Sequence, residues 1–177
     1  MSLITDGVLM ALWERAQERS SDEQASAKVW THLWNTHFFL EEKDRVIFQV
    51  APPEVCRRRL VDIIVELLGE GTRSVVLAFH EAEILNAGPQ DLEEAEIEAS
   101  NTCMKYLGKH PELKFVYAFT SFGTKSRAWL CERTETYLTL FGLGDPADRG
   151  QYIEIHSSEG YLIKQAVQAM RIVPSSI

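Results

Sequence analysis

The chain has no run of about 18 consecutive apolar residues, which a membrane-spanning helix would need. Its first residues also lack the basic and apolar segments of a secretory signal. Cysteine is scarce. The three present, Cys56, Cys103 and Cys131, are widely spaced and form no CxxC pair, which argues against a disulfide framework and a structural zinc site. We therefore expect a cytoplasmic or nuclear protein with no membrane partner.

The sequence is also poor in positive charge. It has 18 Lys and Arg against 26 Asp and Glu, a formal net charge of −8. A protein that grips nucleic acid through the phosphate backbone needs a basic face. Nucleic acid is therefore disfavoured as a partner, and only two local basic patches are available: Arg57 to Arg59, and Lys125 with Arg127.

In length and composition, the sequence is typical of one globular domain. It has 177 residues, of which 45% are hydrophobic and 25% charged, enough to bury a core. We expect a single domain over residues 1–177, with a helical region at 1–39, a sheet-and-helix core at 40–172 and a tail at 173–177.

Hydrophobic periodicity predicts an α/β (α+β) fold with a mixed central sheet flanked by helices. The predicted helices are residues 3–19, 22–39, 90–107 and 159–171. The predicted strands are residues 43–50, 60–68, 74–83, 114–120, 125–133, 137–141 and 151–155. Good helix formers between residues 57 and 68 leave a helix open there, but the β-branched run at 61–65 favours a strand.

Carboxylates interrupt two neighbouring apolar strands. Asp62 and Glu66 lie in one, Glu81 and Glu83 end the next, and a turn over residues 69–73 separates the strands. Because side chains alternate along a strand, three or four carboxylates can converge if the strands pair. Such a cluster favours a hard divalent cation. The alternatives are that the acids are solvated, or that Glu66 pairs with an arginine.

Three short motifs carry a resemblance to a known superfamily. They are Arg59-Leu-Val-Asp62, Phe79-His-Glu81-Ala-Glu83 and the segment Tyr117 to Lys125. With the order helix, strand, strand, strand, helix, strand, they resemble the restriction-endonuclease-like PD-(D/E)XK superfamily over about residues 40–135. The resemblance is to uncharacterised members abundant in fungal genomes.

The resemblance implies roles for individual residues. Asp62 and Glu81 would bind the metal, and Glu83 stands where the family usually carries a lysine that activates water. Val61 replaces the family's proline. An acid from an early helix often completes such sites, and Glu14 and Glu41 are the candidates here.

The implied chemistry is hydrolysis of a phosphodiester by Mg²⁺ held on Asp62 and Glu81, with Glu83 as the third catalytic residue. Lys125 and Arg127 would bind the substrate phosphate, or would simply be solvated charges of a hairpin. Three functions remain open. They are a catalytically inactive binding module, which the glutamate at 83 favours, a metal-dependent nuclease, and an enzyme acting on a small molecule in the same acidic pocket.

Histidines and aromatic residues lead to three further expectations. His32 and His37 are five apart, a poor fit to one face of an α-helix, so we expect no zinc pair there. His80 precedes Glu81 and should face the opposite side of its strand as a buried, hydrogen-bonded residue. The aromatic residues of the first two helices suggest a homodimer through these helices. They are Trp13, Trp30, Trp34, Phe38 and Phe39.

Overall fold

The computed structural model of the chain describes most of its residues. The described ranges are 1–20, 22–40, 46–50, 61–68, 74–83, 85–134, 139–140 and 145–170. The predicted tail, the basic patch Arg57 to Arg59, Glu41, Cys56 and the turn at 69–73 lie outside them.

Helices and strands follow the predicted order. The helices are α1 (Gly7–Glu18), α2 (Glu23–Leu33), α3 (Pro89–Lys109) and α4 (Gly160–Ala169), and α2 continues into a π-helical turn, the π turn (Trp34–Phe38). The described strands are β1 (Val46–Val50), β2 (Val61–Leu68), β3 (Ser74–Glu83), β4 (Phe115–Phe122), β5 (Lys125–Glu132), β6 (Thr139–Leu140) and β7 (Ile153–Glu154).

The described strands form one mixed sheet in the order β1-β2-β3-β4-β5-β6, with β7 also paired to β5. All pairings are antiparallel except β3 with β4, which is parallel because α3 carries the chain from one end of the sheet to the other. The expected mixed sheet with helices is confirmed. Residues 61–68 form a strand, which excludes a helix for that stretch.

The helices cover both faces of the sheet. One face packs against α1, α2, the π turn and α4 around Trp30, Trp34 and Phe119. The other packs against α3, where Ala99 and Cys103 meet Trp129. No helix in the described part of the chain has the length and apolar character needed to cross a membrane.

The first and last helices begin later than predicted. The first helix begins at Gly7 instead of residue 3, because the Asp6 carboxylate accepts hydrogen bonds from the N–H groups of Val8 and Leu9. The last helix begins at Gly160, after Glu159.

The aromatic residues of the N-terminal helices are used within the chain. Trp30, Trp34, Phe38 and Phe39 are buried in the core against the sheet. The half-buried Trp13 donates from its indole nitrogen to Glu154, at 3.0 Å. These side chains therefore stabilise the fold of one chain. The homodimer stays a prediction, but these aromatic residues do not form its contact surface.

His80 is buried on the face of the sheet that packs against α2, as expected. Its Nδ1 accepts from the indole N–H of Trp34 at 2.9 Å, so the ring proton is on Nε2 and is donated to the Ser121 hydroxyl at 2.8 Å. Burial lowers the pKa of His80 to about 3. The imidazole is therefore neutral in the folded protein at any pH where the protein is handled.

We expect acid to destabilise the fold through His80. Between its lowered native pKa and its ordinary value of 6.5, the unfolded chain takes up a proton that the folded chain refuses, so stability falls as pH falls. The loss from pH 7 to pH 5 is about 2 kcal/mol from this residue alone. Urea unfolding at both pH values should show that His80→Gln loses about 2 kcal/mol less free energy of unfolding between pH 7 and pH 5 than the natural chain does.

His110→Gln is the matched control, because His110 lies on the surface beside Glu112. The control should keep the full pH dependence of the natural protein. An equal pH dependence in the natural chain and in His80→Gln would contradict the buried neutral imidazole.

Candidate functional site

The structure brings two of the predicted metal ligands onto adjacent strands. Asp62 of β2 and Glu81 of β3 are direct partners in the antiparallel ladder. The side chain of Asp62 lies outside the described part of the structure. Glu66 is not at this position, because it pairs with Val76 beyond a bulge and lies about 13 Å further along the strand. Of the three or four carboxylates that were expected to converge, Glu66 is therefore not one.

The pairing continues as one row across four strands. Glu81 is the partner of Thr120 on β4, and Thr120 is the partner of Arg127 on β5. Positions 62, 81, 120 and 127 thus stand side by side, about 4.8 Å apart from strand to strand. Throughout this article we call them the polar row. The row aligns the two predicted metal ligands, Asp62 and Glu81, with the predicted substrate-binding residue Arg127.

A second row lies two residues further along the strands. Glu83 of β3 is the partner of Phe122, Phe122 is the partner of Lys125, and Lys125 is the partner of Glu154 on β7. The Lys125 ammonium lies 5.7 Å from the centre of the Phe122 ring. The half-buried Glu83 and Lys125 therefore belong to one end of the sheet with Phe122 between them.

The polar row is on the face of the sheet that α3 covers. Phe79, two residues before Glu81, and Trp129, two residues after Arg127, both pack in the α3 cluster, and side chains two apart share a face. Glu81 is only 6% exposed. Its charge acts on Cys103 of α3, whose pKa is raised chiefly by the hydrogen bond to Cys131, then by burial, and also by Glu81.

A chain of hydrogen bonds leads from the row to α3. The Trp129 indole donates to the Thr120 hydroxyl at 2.7 Å, and the Tyr152 hydroxyl donates to Oε1 of Glu96 at 2.9 Å. Because the single proton of Tyr152 is used there, Thr120 donates to the Tyr152 oxygen, at 2.8 Å. Burial, and next the charge of Glu96, raise the pKa of Tyr152, so the phenol keeps its proton.

Glu96 is a site residue that sequence reasoning missed. It is 6% exposed, and its second oxygen accepts from the N–H of Ala147 at 2.6 Å. Ala147 has a φ of 54°, an uncommon backbone conformation that this bond helps to hold. Burial raises the pKa of Glu96, while the Ala147 and Tyr152 donors oppose the rise. Its position could have been inferred from helical spacing, because Glu96 lies four residues after Leu92 on the buried face of α3.

Arg127 is buried, and the interpretation of it as a solvated hairpin charge is wrong. Its side chain is 8% exposed, Nη1 donates to the carbonyl oxygen of Asp145 at 2.7 Å, and the guanidinium lies 4.5 Å from the centre of the Trp129 ring. Nη2 has no hydrogen-bond partner among the described residues. Burial lowers the pKa of Arg127, and Glu96 is the first of the charges that oppose this.

The early-helix acid is not supplied by Glu14. It is exposed on α1, and α1 packs against the opposite face of the sheet from the polar row. The buried ionisable groups that the structure describes near the row include Glu81, Glu96 and Arg127, and the charge of Arg127 is also influenced by Tyr152, Asp148 and Asp145. Positions 62 and 81 carry carboxylates on adjacent strands, and carboxylate oxygens are the ligands that Mg²⁺ prefers.

The sequence matches none of the protein-family models, and no curated protein or solved structure is significantly similar to it. The geometry of the described residues is therefore the basis for assigning a function.

We expect the buried contacts of Arg127 to stabilise the fold. Its guanidinium donates to the Asp145 carbonyl and lies over the Trp129 ring, and a hydrogen bond from a charged group typically contributes about 2 kcal/mol. Arg127→Met, which keeps the apolar part of the side chain, should lower the free energy of unfolding by about that amount in urea titrations. Lys125→Met, on the same strand but half-buried, should cost less than about 1 kcal/mol. Equal losses in the two variants would contradict a stabilising role for these contacts.

Proposed function

We propose that the chain is a degenerate PD-(D/E)XK nuclease-like protein that acts as a non-catalytic binding module, with Mg²⁺ held between Asp62 and Glu81. The element order supports the relationship. A helical region precedes β1, β2 with Asp62, β3 with Glu81 and Glu83, the crossover helix α3 and then β4, which is the order on which the resemblance rests.

The metal assignment rests on the register of β2 and β3. Directly opposed positions on antiparallel strands are about 5 Å apart, a separation that two carboxylates sharing one cation require. Mg²⁺ would then be bound by a carboxylate inside the protein, because Glu81 is only 6% exposed. Its chemical contribution, if substrate reached it, would be to polarise a phosphoryl oxygen and acidify water.

The observation that supports the non-catalytic assignment is that the guanidinium of Arg127 is held by contacts within the fold. Phosphodiester hydrolysis needs a cation placed where negative charge develops. Position 83 is an acid, and the guanidinium of Arg127 is buried, bonded to Asp145 and stacked on Trp129. A side chain held in this way cannot follow a phosphate through the reaction. We therefore assign the guanidinium of Arg127 to the fold and not to catalysis, at a site that would keep its two metal ligands.

A metal-dependent nuclease is the second candidate, and one observation favours it. Arg127 stands in the same row as Asp62 and Glu81, so a positive charge is present two strands from the proposed metal. Its Nη2 has no hydrogen-bond partner among the described residues. In this alternative, Glu83 acts as base or third ligand, and Lys125 and Arg127 contact the phosphate.

We expect Mg²⁺ and Mn²⁺ to bind the metal-free protein in calorimetric titrations, and Asp62→Asn and Glu81→Gln each to weaken binding by about tenfold or more. Both substitutions keep the size of the side chain and remove its charge. Glu18→Gln is the control, since Glu18 is exposed at the end of α1. If neither Asp62→Asn nor Glu81→Gln changes the affinity, the metal does not bind at this site.

We expect Glu83→Lys to separate the two candidate functions. Lysine at 83 restores two carboxylates and one ammonium, so cleavage of DNA or RNA by this variant with Mg²⁺, absent in the natural chain, supports a binding module derived from a nuclease. Cleavage by the natural chain that Asp62→Ala and Glu81→Ala abolish would establish the nuclease instead.

Glu18→Lys is the matched control for that assay. It makes the same change of charge on the surface of α1, away from the site, so it reports any gain in nucleic-acid affinity from charge alone. If neither the natural chain nor Glu83→Lys cuts, the derivation from a nuclease loses its support.

A further inference from the structure

Three metal-ligating side chains meet at the N-terminal helices. Asp6 precedes α1, His32 lies in the last turn of α2, and His37 lies in the π turn. One ligand atom of each lies within 4.8 Å of the other two. Oδ2 of Asp6 and Nε2 of His37 are 3.0 Å apart, and the centres of the two imidazole rings are 5.4 Å apart.

The π turn is what brings the two histidines together. In an α-helix, five residues correspond to a rotation of about 500°, which leaves such a pair about 140° apart around the axis. A π-helical turn closes its hydrogen bonds between residues five apart, so side chains with that spacing are stacked. The expected poor fit of His32 and His37 to one helical face is therefore wrong, because it assumed an uninterrupted α-helix.

The Asp6 carboxylate is held in place by the start of α1. Its Oδ1 accepts from the N–H groups of Val8 and Leu9 at 2.8 and 2.9 Å, which leaves Oδ2 directed to His37. Hydrogen bonds that fix a carboxylate in this way orient it as a metal ligand. The 3.0 Å between Oδ2 and Nε2 is close to the separation of about 3.3 Å between two ligands of a tetrahedral Zn²⁺.

The pKa values of Asp6 and His37 are both shifted toward the forms that bind a metal, the carboxylate and the neutral imidazole. The pKa of Asp6 is lowered, chiefly by the Leu9 N–H, and the pKa of His37 is lowered, chiefly by burial. Lys164 of α4 contributes to the lowering at His37, and Asp6 opposes it. Asp6 is exposed and both histidines are partly exposed, so an ion has access.

We propose that Asp6, His32 and His37 form a binding site for a borderline transition-metal ion of the Zn²⁺ class, which joins the beginning of α1 to the end of α2. Two imidazoles and one carboxylate are a common ligand set for such ions, and the fourth position is open to water. The site lies with the helices on the opposite face of the sheet from the polar row, and it does not depend on the proposed Mg²⁺.

The test uses the full chain without an affinity tag, stripped of metal with a chelator. Zn²⁺ is titrated calorimetrically, and Co²⁺ is added as a coloured substitute whose visible absorption reports its coordination. We expect one ion per chain and an increase in the thermal unfolding temperature when Zn²⁺ is in excess. His32→Gln and His37→Gln should each weaken binding by about tenfold or more, and His110→Gln should leave it unchanged.

Asp6→Asn and Asp22→Asn are the sharpest pair. Asparagine caps a helix as well as aspartate does, so both variants should fold, as circular dichroism would verify. Asp22 caps α2 through the Gln24 N–H, and the described triad does not include it. Asp6→Asn should therefore lose Zn²⁺ affinity by about tenfold or more while Asp22→Asn keeps it. Absence of Zn²⁺ binding, or equal affinity in both variants, would overturn the proposal.

Discussion

The parallel pairing of β3 with β4 is the constraint on which the candidate site depends. α3 carries the chain across the sheet and returns it with Thr120 beside Glu81. The antiparallel pairings on either side then place Asp62 and Arg127 in the same row. A slip of one residue in the central register would turn the side chains of one strand to the other face, where the N-terminal helices pack. One pairing therefore decides both where the acids lie and what covers them.

Because α3 covers the row, carboxylates are buried there, and neighbouring groups stabilise them. Glu96 enters the buried layer from the helix, and Tyr152 and the N–H of Ala147 satisfy its two oxygens. Arg127 supplies the opposite charge. This arrangement stabilises a polar interior, and it also commits the arginine to the fold. The same packing that places a positive charge near the buried acids therefore also holds the guanidinium of Arg127 against Asp145 and Trp129.

Much of the sheet was predictable because the strands have strong local signals. The β-branched run after Val61 predicted β2, and alternation predicted that His80 faces away from Glu81, which its contact with Trp34 confirms. The remaining features depend on contacts distant in sequence. Arg127 is buried beside Asp145, and Glu96 is stabilised on a buried stripe by hydrogen bonds from Ala147 and Tyr152. The His32–His37 pair depends on a change of helical period that residue spacing alone does not reveal.

The central proposal is that the polar row holds a metal between Asp62 and Glu81 while Arg127 serves the fold. The most direct measurement is anomalous X-ray scattering from crystals of the natural chain soaked in Mn²⁺, a substitute for Mg²⁺ that can be located by its own signal. The account predicts a peak within bonding distance of carboxylate oxygens of both Asp62 and Glu81, with the guanidinium of Arg127 still bonded to Asp145. An empty Asp62–Glu81 position at saturating Mn²⁺ would contradict it.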